Sequence, residues 1–350
     1  MKYIFIILIS LLSVSCNSQE KKSKTIEIDN SKKQNKSLQI GKYVSGVFED
    51  SKGNLWFGTI EKGIAKYDGN VLRYYTVKDG LPSNRVTSVK EDSDGVLWFN
   101  TGNGISKYDG QKFTNLNIKQ DDILANLVSQ FLIDDKGKMW VGTWSGVFQF
   151  DGTEFTYFSI PYPKIETTIN NDSKDWITEI KEDIEGNIWF SRDGYGIAKY
   201  DGISFTHYVK KDGLQSNNVT VIEIDNQNNL WFGMRNGEND NSNSEKRDGK
   251  GGVNKLTNKK IISLPEIKAF DYDDIYEIHK DNNGNIWIGT SENGVYKYDG
   301  EVFKNYAVPI SIMSMEDDKK GNLWLGGAGG LYKIDENDNI INVTTDGPWE

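Results

Sequence analysis

The chain has 350 residues, a formal net charge of −10, 12% aromatic residues, one cysteine and two histidines. An acidic body of this size repels phosphate backbones, which argues against a nucleic-acid partner. A single cysteine excludes an internal disulfide, and two distant histidines leave little for a zinc site or a histidine-based triad.

The N-terminus reads Met1-Lys2, an apolar run from Tyr3 to Leu12, then Ser13-Val14-Ser15 and Cys16. A charged start, about ten apolar residues and small residues before a cleavage point describe a secretory signal over residues 1–15, too short to span a membrane. The cysteine placed directly after those small residues resembles the lipobox of bacterial lipoproteins, which implies lipidation of Cys16. Such boxes favour Leu three places before the cysteine; here that place is Ser13, with Leu12 one further back. The alternative is a general secretion signal and an unrelated cysteine. Residues 17–43 hold seven lysines against Glu20, Glu27 and Asp29, and their low apolar content describes a disordered tether. The rest of the chain, residues 44–350, then carries about −15. The expected location is outside the cytoplasm, lipid-anchored in the bacterial cell envelope at the outer membrane.

Beyond the tether, one heptapeptide recurs. Gly53–Thr59 (GNLWFGT) returns as Gly95–Thr101, Gly137–Thr143, Gly186–Arg192, Asn228–Met234, Gly284–Thr290 and Gly321–Gly327, at spacings of 37 to 56 residues. Self-similarity at this period marks a repeat architecture. In the first copy, Val44–Glu49 is predicted as a strand, Asp50–Gly53 as a tight turn and Asn54–Thr59 as a second strand. A third strand, Ile64–Tyr67, and a fourth, Val71–Thr76, follow. The Asp-x-x-Gly and Asp-Gly pairs supply the side-chain caps and positive-φ positions of antiparallel connections. Leu55 and Phe57 point one way and Trp56 the other, so both faces of the sheet need cover. The expected fold is all-β: a seven-bladed β-propeller of four-stranded antiparallel blades over residues 44–350, each blade taking its four strands from its own repeat. Closure is then expected from packing of the last blade on the first, with Thr25–Asp29 as a candidate added strand.

Val86–Phe99, Asn103–Gly110 and the Asp-Gly-Leu runs at Asp79–Leu81 and Asp212–Leu214 resemble the two-component regulator propeller repeat. The resemblance spans all seven units and implies a sensor region of the kind found outside the cytoplasm in hybrid sensor kinases. No kinase or DNA-binding segment follows the repeats, so signalling is expected to need a separate sensor kinase or another envelope protein partner.

Function is sought where the units differ. Strand alternation places the loops after second and fourth strands on one rim, and both long insertions fall there, at residues 161–176 and 235–252. Loops after the second strands are expected nearest the channel. Trp144, Trp176, Arg192, Tyr195 and Arg235 are the candidate binding residues: aromatic faces for stacking and charged forks for orientation suit an oligosaccharide or peptide ligand. Trp144 and Tyr195 also suit a second role, folding over the loops to seal the channel mouth. No cofactor, metal site or catalytic residue is expected, and the reading is a non-catalytic ligand-binding module. A protein-interaction scaffold and a polysaccharide lyase or hydrolase are the alternatives.

Overall fold

The computed structural model describes residues 39–119, 121–165, 174–235, 251–264, 270 and 273–349. The signal segment, Cys16, the tether, Thr25–Asp29 and nearly all of the insertion after Arg235 lie outside the described residues. Within them are seven four-stranded antiparallel sheets, each ordered as in the sequence. Every blade therefore draws its strands from one repeat, and the chain is a seven-bladed β-propeller. The first blade has strands at Val44–Glu49, Leu55–Thr59, Ile64–Tyr67 and Leu72–Tyr75, and the second strand of every blade is buried along its length or nearly so.

The first strand of each blade lies innermost, and at six of the seven blade interfaces it packs on the first strand of the next blade. Seven apolar clusters sit between successive blades. Trp56 packs with Val86, Val89 and Phe99 of the next blade, whereas Leu55 and Phe57 pack with Trp324 of the seventh. Alternation along a strand is what lets one segment serve two interfaces.

The recurrent tryptophans also anchor the hairpins polarly. Each indole Nε1 donates to the aspartate six residues earlier, at 2.7–3.0 Å in all seven blades. The other oxygen of that carboxylate caps the turn, as at Asp50, which accepts from the amides of Lys52 and Asn54. Lysines of the third strands complete the unit: Lys66, Lys199, Lys255 and Lys297 lie over the tryptophan faces at 4.6–5.2 Å. Tyr67 and Tyr200 donate their hydroxyls to the glycine carbonyl two residues on.

Closure rests on both ends of the body. Tyr43 bridges to Ala328 and Gly330, and Gly329 N–H donates to Lys42 O at 2.8 Å. Ile40 is buried with Trp324 and Leu331, and Trp349 packs edge-on against Phe57 and Tyr67. On the opposite rim Lys319 N–H donates to Glu49, and its ammonium reaches the carbonyls of Asp50 and Ser51.

Candidate functional site

The inner strands enclose a cavity of about 740 Å³ that runs from the channel interior to the rim carrying the insertions. Trp144, Trp176, Asp193 and Arg235 stand at its mouth, with Tyr43, Ile60 and Arg85 across from them. Trp144 lies in the turn after the second strand of blade 3, and its N–H donates to Leu127 O. Trp176 directly precedes the inner strand Ile177–Glu182 of blade 4, and its indole donates to Ser129 Oγ at 2.8 Å. The two indoles stack with centroids 4.6 Å apart and planes 22° from parallel.

Arg235 follows the second strand of blade 5 and reaches back to blade 4. One guanidinium nitrogen lies 2.7 Å from both oxygens of Asp193, and the guanidinium carbon sits 5.7 Å from the Trp176 ring. Asp193 is almost wholly buried, and its own N–H donates to Trp176 O. Burial raises its carboxyl above the usual range, while Arg235 draws it back toward ionisation. The result is a stacked pair of indoles braced by a charged pair, all four residues lining the cavity.

Arg192 and Tyr195 are used differently from the expectation. Arg192 is buried at 4% exposure, its guanidinium 3.1 Å from Asp175 and stacked over Tyr162 at 4.2 Å. Tyr195 packs edge-on against Tyr162, and Tyr162 in turn donates to Asp175. Neither Arg192 nor Tyr195 lines the cavity; they tie the start of the third-blade insertion to blade 4. Ile60, Trp144, Asp193 and Arg235 at the mouth directly follow second strands, and Tyr43, Arg85 and Trp176, which directly precede inner strands, join them there.

The channel wall carries a charge pattern that the repeat comparison did not single out. The third and fifth places of the inner strands face inward, bringing Gln130, Glu179 and Glu277 into one layer and Lys90, Lys181, Glu223, His279 and Glu316 into another. The signal was available in principle, since other blades place Gly46, Ser88 and Ser314 at the same positions as Glu179 and Glu277. It was hidden because charge in a strand usually means solvent.

Lys181 pairs with Glu223 at 3.0 Å, and His279 Nε2 lies 2.7 Å from Asp317. Burial pushes Glu179 and Glu277 up, and Glu316 up to about 7. These groups bind protons more readily folded than unfolded, so their contribution to stability is lost as pH rises from about 4.5 through 7. The turn carboxylates act oppositely. Burial raises Asp50 and Asp225, but bonds from their tryptophans and asparagines bring both below 3.8, with Asp225 at about 2. Their contribution is lost as pH falls below 3.8. Stability is therefore expected to peak between the two windows and to decline from pH 5 to pH 8, measurable by urea titration at each pH; a flat profile across that range would show the channel carboxylates to be solvated.

Among the described residues no group of three or more His, Cys, Asp or Glu side chains is placed to hold a metal ion. His207 lies in the outer strand Phe205–Tyr208. No helix among the described residues is long and apolar enough to cross a membrane.

Four segments, residues 39–61, 80–103, 213–236 and 270–292, match the family model described as two component regulator propeller. Histidine kinase P4 of Formosa agariphila is 27% identical over 198 residues, a match covering 50% of this chain and 13% of the kinase. The extracellular domain of a hybrid two-component system from B. thetaiotaomicron superposes with a TM-score of 0.66 at 24% identity, over 86% of this chain and 39% of that one. Virginiamycin B lyase from Staphylococcus aureus superposes with a TM-score of 0.62 at 14% identity, over 84% of this chain and 96% of the lyase. The chain thus spans well under half of the kinase and the hybrid-system domain it matches, and at these identities the structural likenesses establish the fold alone.

Proposed function

The chain carries two-component regulator propeller repeats, and from that premise we propose that it is a ligand-binding, sensor-type propeller whose site is the channel mouth. The observation that carries this reading is the Trp144–Trp176 stack braced by Arg235–Asp193 at the opening of a 740 Å³ cavity. Aromatic faces beside a few fixed polar groups suit a sugar ring or a peptide side chain. Arg192 and Tyr195 act behind the site by holding its loop in place. Export, a lipid anchor at Cys16 in the outer membrane and relay through a separate sensor kinase belong to the same reading.

We read the module as non-catalytic. The support is that His207 sits on an outer strand and His279 is engaged with Asp317, so neither is presented at the mouth as a general acid or base.

The test is a melting-shift screen of the full chain against oligosaccharide and peptide fragments, since a ligand of the folded state must raise the melting point. Trp176→Ala and Arg235→Ala are each expected to weaken a hit by about 1–3 kcal/mol, or roughly 5- to 150-fold, with the fold retained. Unchanged affinity in both variants would remove the mouth as the site. A blank screen together with crosslinking to a basic envelope protein would favour the scaffold reading instead.

A further inference from the structure

We propose that the ring opens at the interface between blades 2 and 3, in the wall of the cavity, and that Asn100 is the wedge that loosens it there. The inference stands on the packing of the blades and does not depend on what the mouth binds.

The fourth residue of the second strand decides how closely a blade approaches its neighbour. It is glycine in five blades, Gly58, Gly142, Gly233, Gly289 and Gly326, where a Cβ would lie only 2.5–2.9 Å from the adjoining blade. Blade 4 has the small Ser191, whose hydroxyl lies against Thr178 of the same blade. Blade 2 has Asn100, longer than either and wholly buried. Its Nδ2 donates across the interface to Ser129 O at 3.1 Å, and its Oδ1 is buried with no hydrogen-bond partner among the described residues. A side chain of that length does not fit the space that a glycine leaves, so the strands on either side must stand further apart.

Three observations at different depths of the same interface agree with that. First, this is the interface at which the inner strands, Val86–Glu91 and Val128–Ile133, are not packed together. Second, the hydroxyls of Ser45, Thr178 and Thr220 donate to the first carbonyl of the next inner strand, at Val86, Val219 and Ile275. Thr87 holds the same place in blade 2, yet its hydroxyl is buried without a partner. Third, on the rim opposite the mouth a groove of about 620 Å³ lies between Trp98 and the Ile133, Met139 and Phe150 side chains of blade 3. Trp98 is 8% exposed there, against 1–4% for the other six recurrent tryptophans.

Two long side chains reach across: Asn100, and Lys90, whose ammonium donates to Phe131 O at 2.9 Å. A buried polar atom without a partner costs free energy that an opened interface returns by admitting water, so local opening is easiest here. Arg85 and Thr87 line the cavity from blade 2, and Ser129 and Trp144 from blade 3, so the opening widens the cavity wall beside the mouth.

The test is thiol labelling, in native buffer, of single-cysteine variants of the full chain carrying Cys16→Ser. Val44, Val86, Val141 and Val219 are each 0% exposed and face the preceding blade at the interfaces of blades 7 and 1, 1 and 2, 2 and 3, and 4 and 5. A thiol at any of them reacts only when its interface opens. Val141→Cys is expected to react roughly tenfold or more faster than the other three. Adding Asn100→Gly, which installs the residue of five other blades, should bring it down to their rate.

Equal rates at all four positions, or the fastest reaction at Val44→Cys, where the two ends of the body meet, would overturn the proposal. A fast reaction at Val141→Cys that Asn100→Gly leaves unchanged would overturn the wedge. The unsubstituted chain gives a second reading that does not depend on the variants folding. The indole N–H of Trp98, assigned with Trp98→Phe, should exchange with solvent fastest of the seven indoles bonded to turn aspartates. Exchange no faster than that of Trp324, which packs at the ring closure, would also overturn the proposal.

Discussion

Asp225→Ala is expected to cost about 3–5 kcal/mol of stability, the range for breaking a buried charged network by removing one partner. Asp225 is 6% exposed and accepts from Trp231 Nε1, from the amides of Gln227 and Asn229, and from the Asn229 side chain. Lys255 completes the set, its ammonium 2.9 Å from Oδ2 and 4.6 Å from the Trp231 ring centre. Removing the carboxylate leaves an indole N–H, two backbone amides and a cation short of an acceptor, at a place where water cannot enter freely. The matched control is Asp335→Ala. Asp335 makes the same turn bonds to Asn337 and Asn339, but it is near the surface and holds no tryptophan. Urea titration of the two variants checks the claim, and equal midpoints would show that the indole bond adds nothing beyond the turn.

Gly326→Val is expected to destabilise the closed ring, by about 1–3 kcal/mol from overpacking and by more if the seam opens. The glycine is the fourth residue of its strand's Leu-Trp-Leu-Gly run and faces the inner strand of blade 1. A Cβ there would lie 2.9 Å from Val44 O and 3.1 Å from Val47 Cγ2. Equivalent glycines stand at 58, 142, 233 and 289, where a Cβ would meet the next blade at 2.5–2.8 Å. Small residues at this place therefore set how closely blades approach. Two blades depart, each with its own accommodation: Asn100 donates to Ser129 O at 3.1 Å, and Ser191 Oγ lies 2.7 Å from Thr178 Oγ1. The seam variant is separable from the others by proteolysis. Cleavage within residues 39–43, which bridge to blade 7 next to Gly326, should accelerate in Gly326→Val and not in Gly142→Val. Equal protection of that segment in both would show that the seam is no weaker than an ordinary blade interface.

The sequence by itself determined the blade. A tryptophan every forty or so residues, flanked by Asp-x-x-Gly and Asp-Gly turns and by apolar residues on both faces, admits one arrangement of short antiparallel hairpins stacked side by side. Local chemistry suffices there because each turn is closed by residues two to six positions apart, such as Asp50 with Lys52, Asn54 and Trp56. The same locality located the insertions on one rim and brought Trp144, Trp176 and Arg235 forward as candidates.

Tertiary structure decided what those residues touch. Arg192 ends the second strand of blade 4 and Arg235 directly follows that of blade 5; one is buried against Asp175 and Tyr162 while the other braces the mouth through Asp193. The one-place difference in register is legible in the repeats, but the partners are not, since each arginine finds its partner outside its own hairpin. The channel glutamates posed the same difficulty. Alternation says that Glu179 shares a strand face with Lys181 and Glu277 with His279, but only ring closure turns those faces toward one cavity.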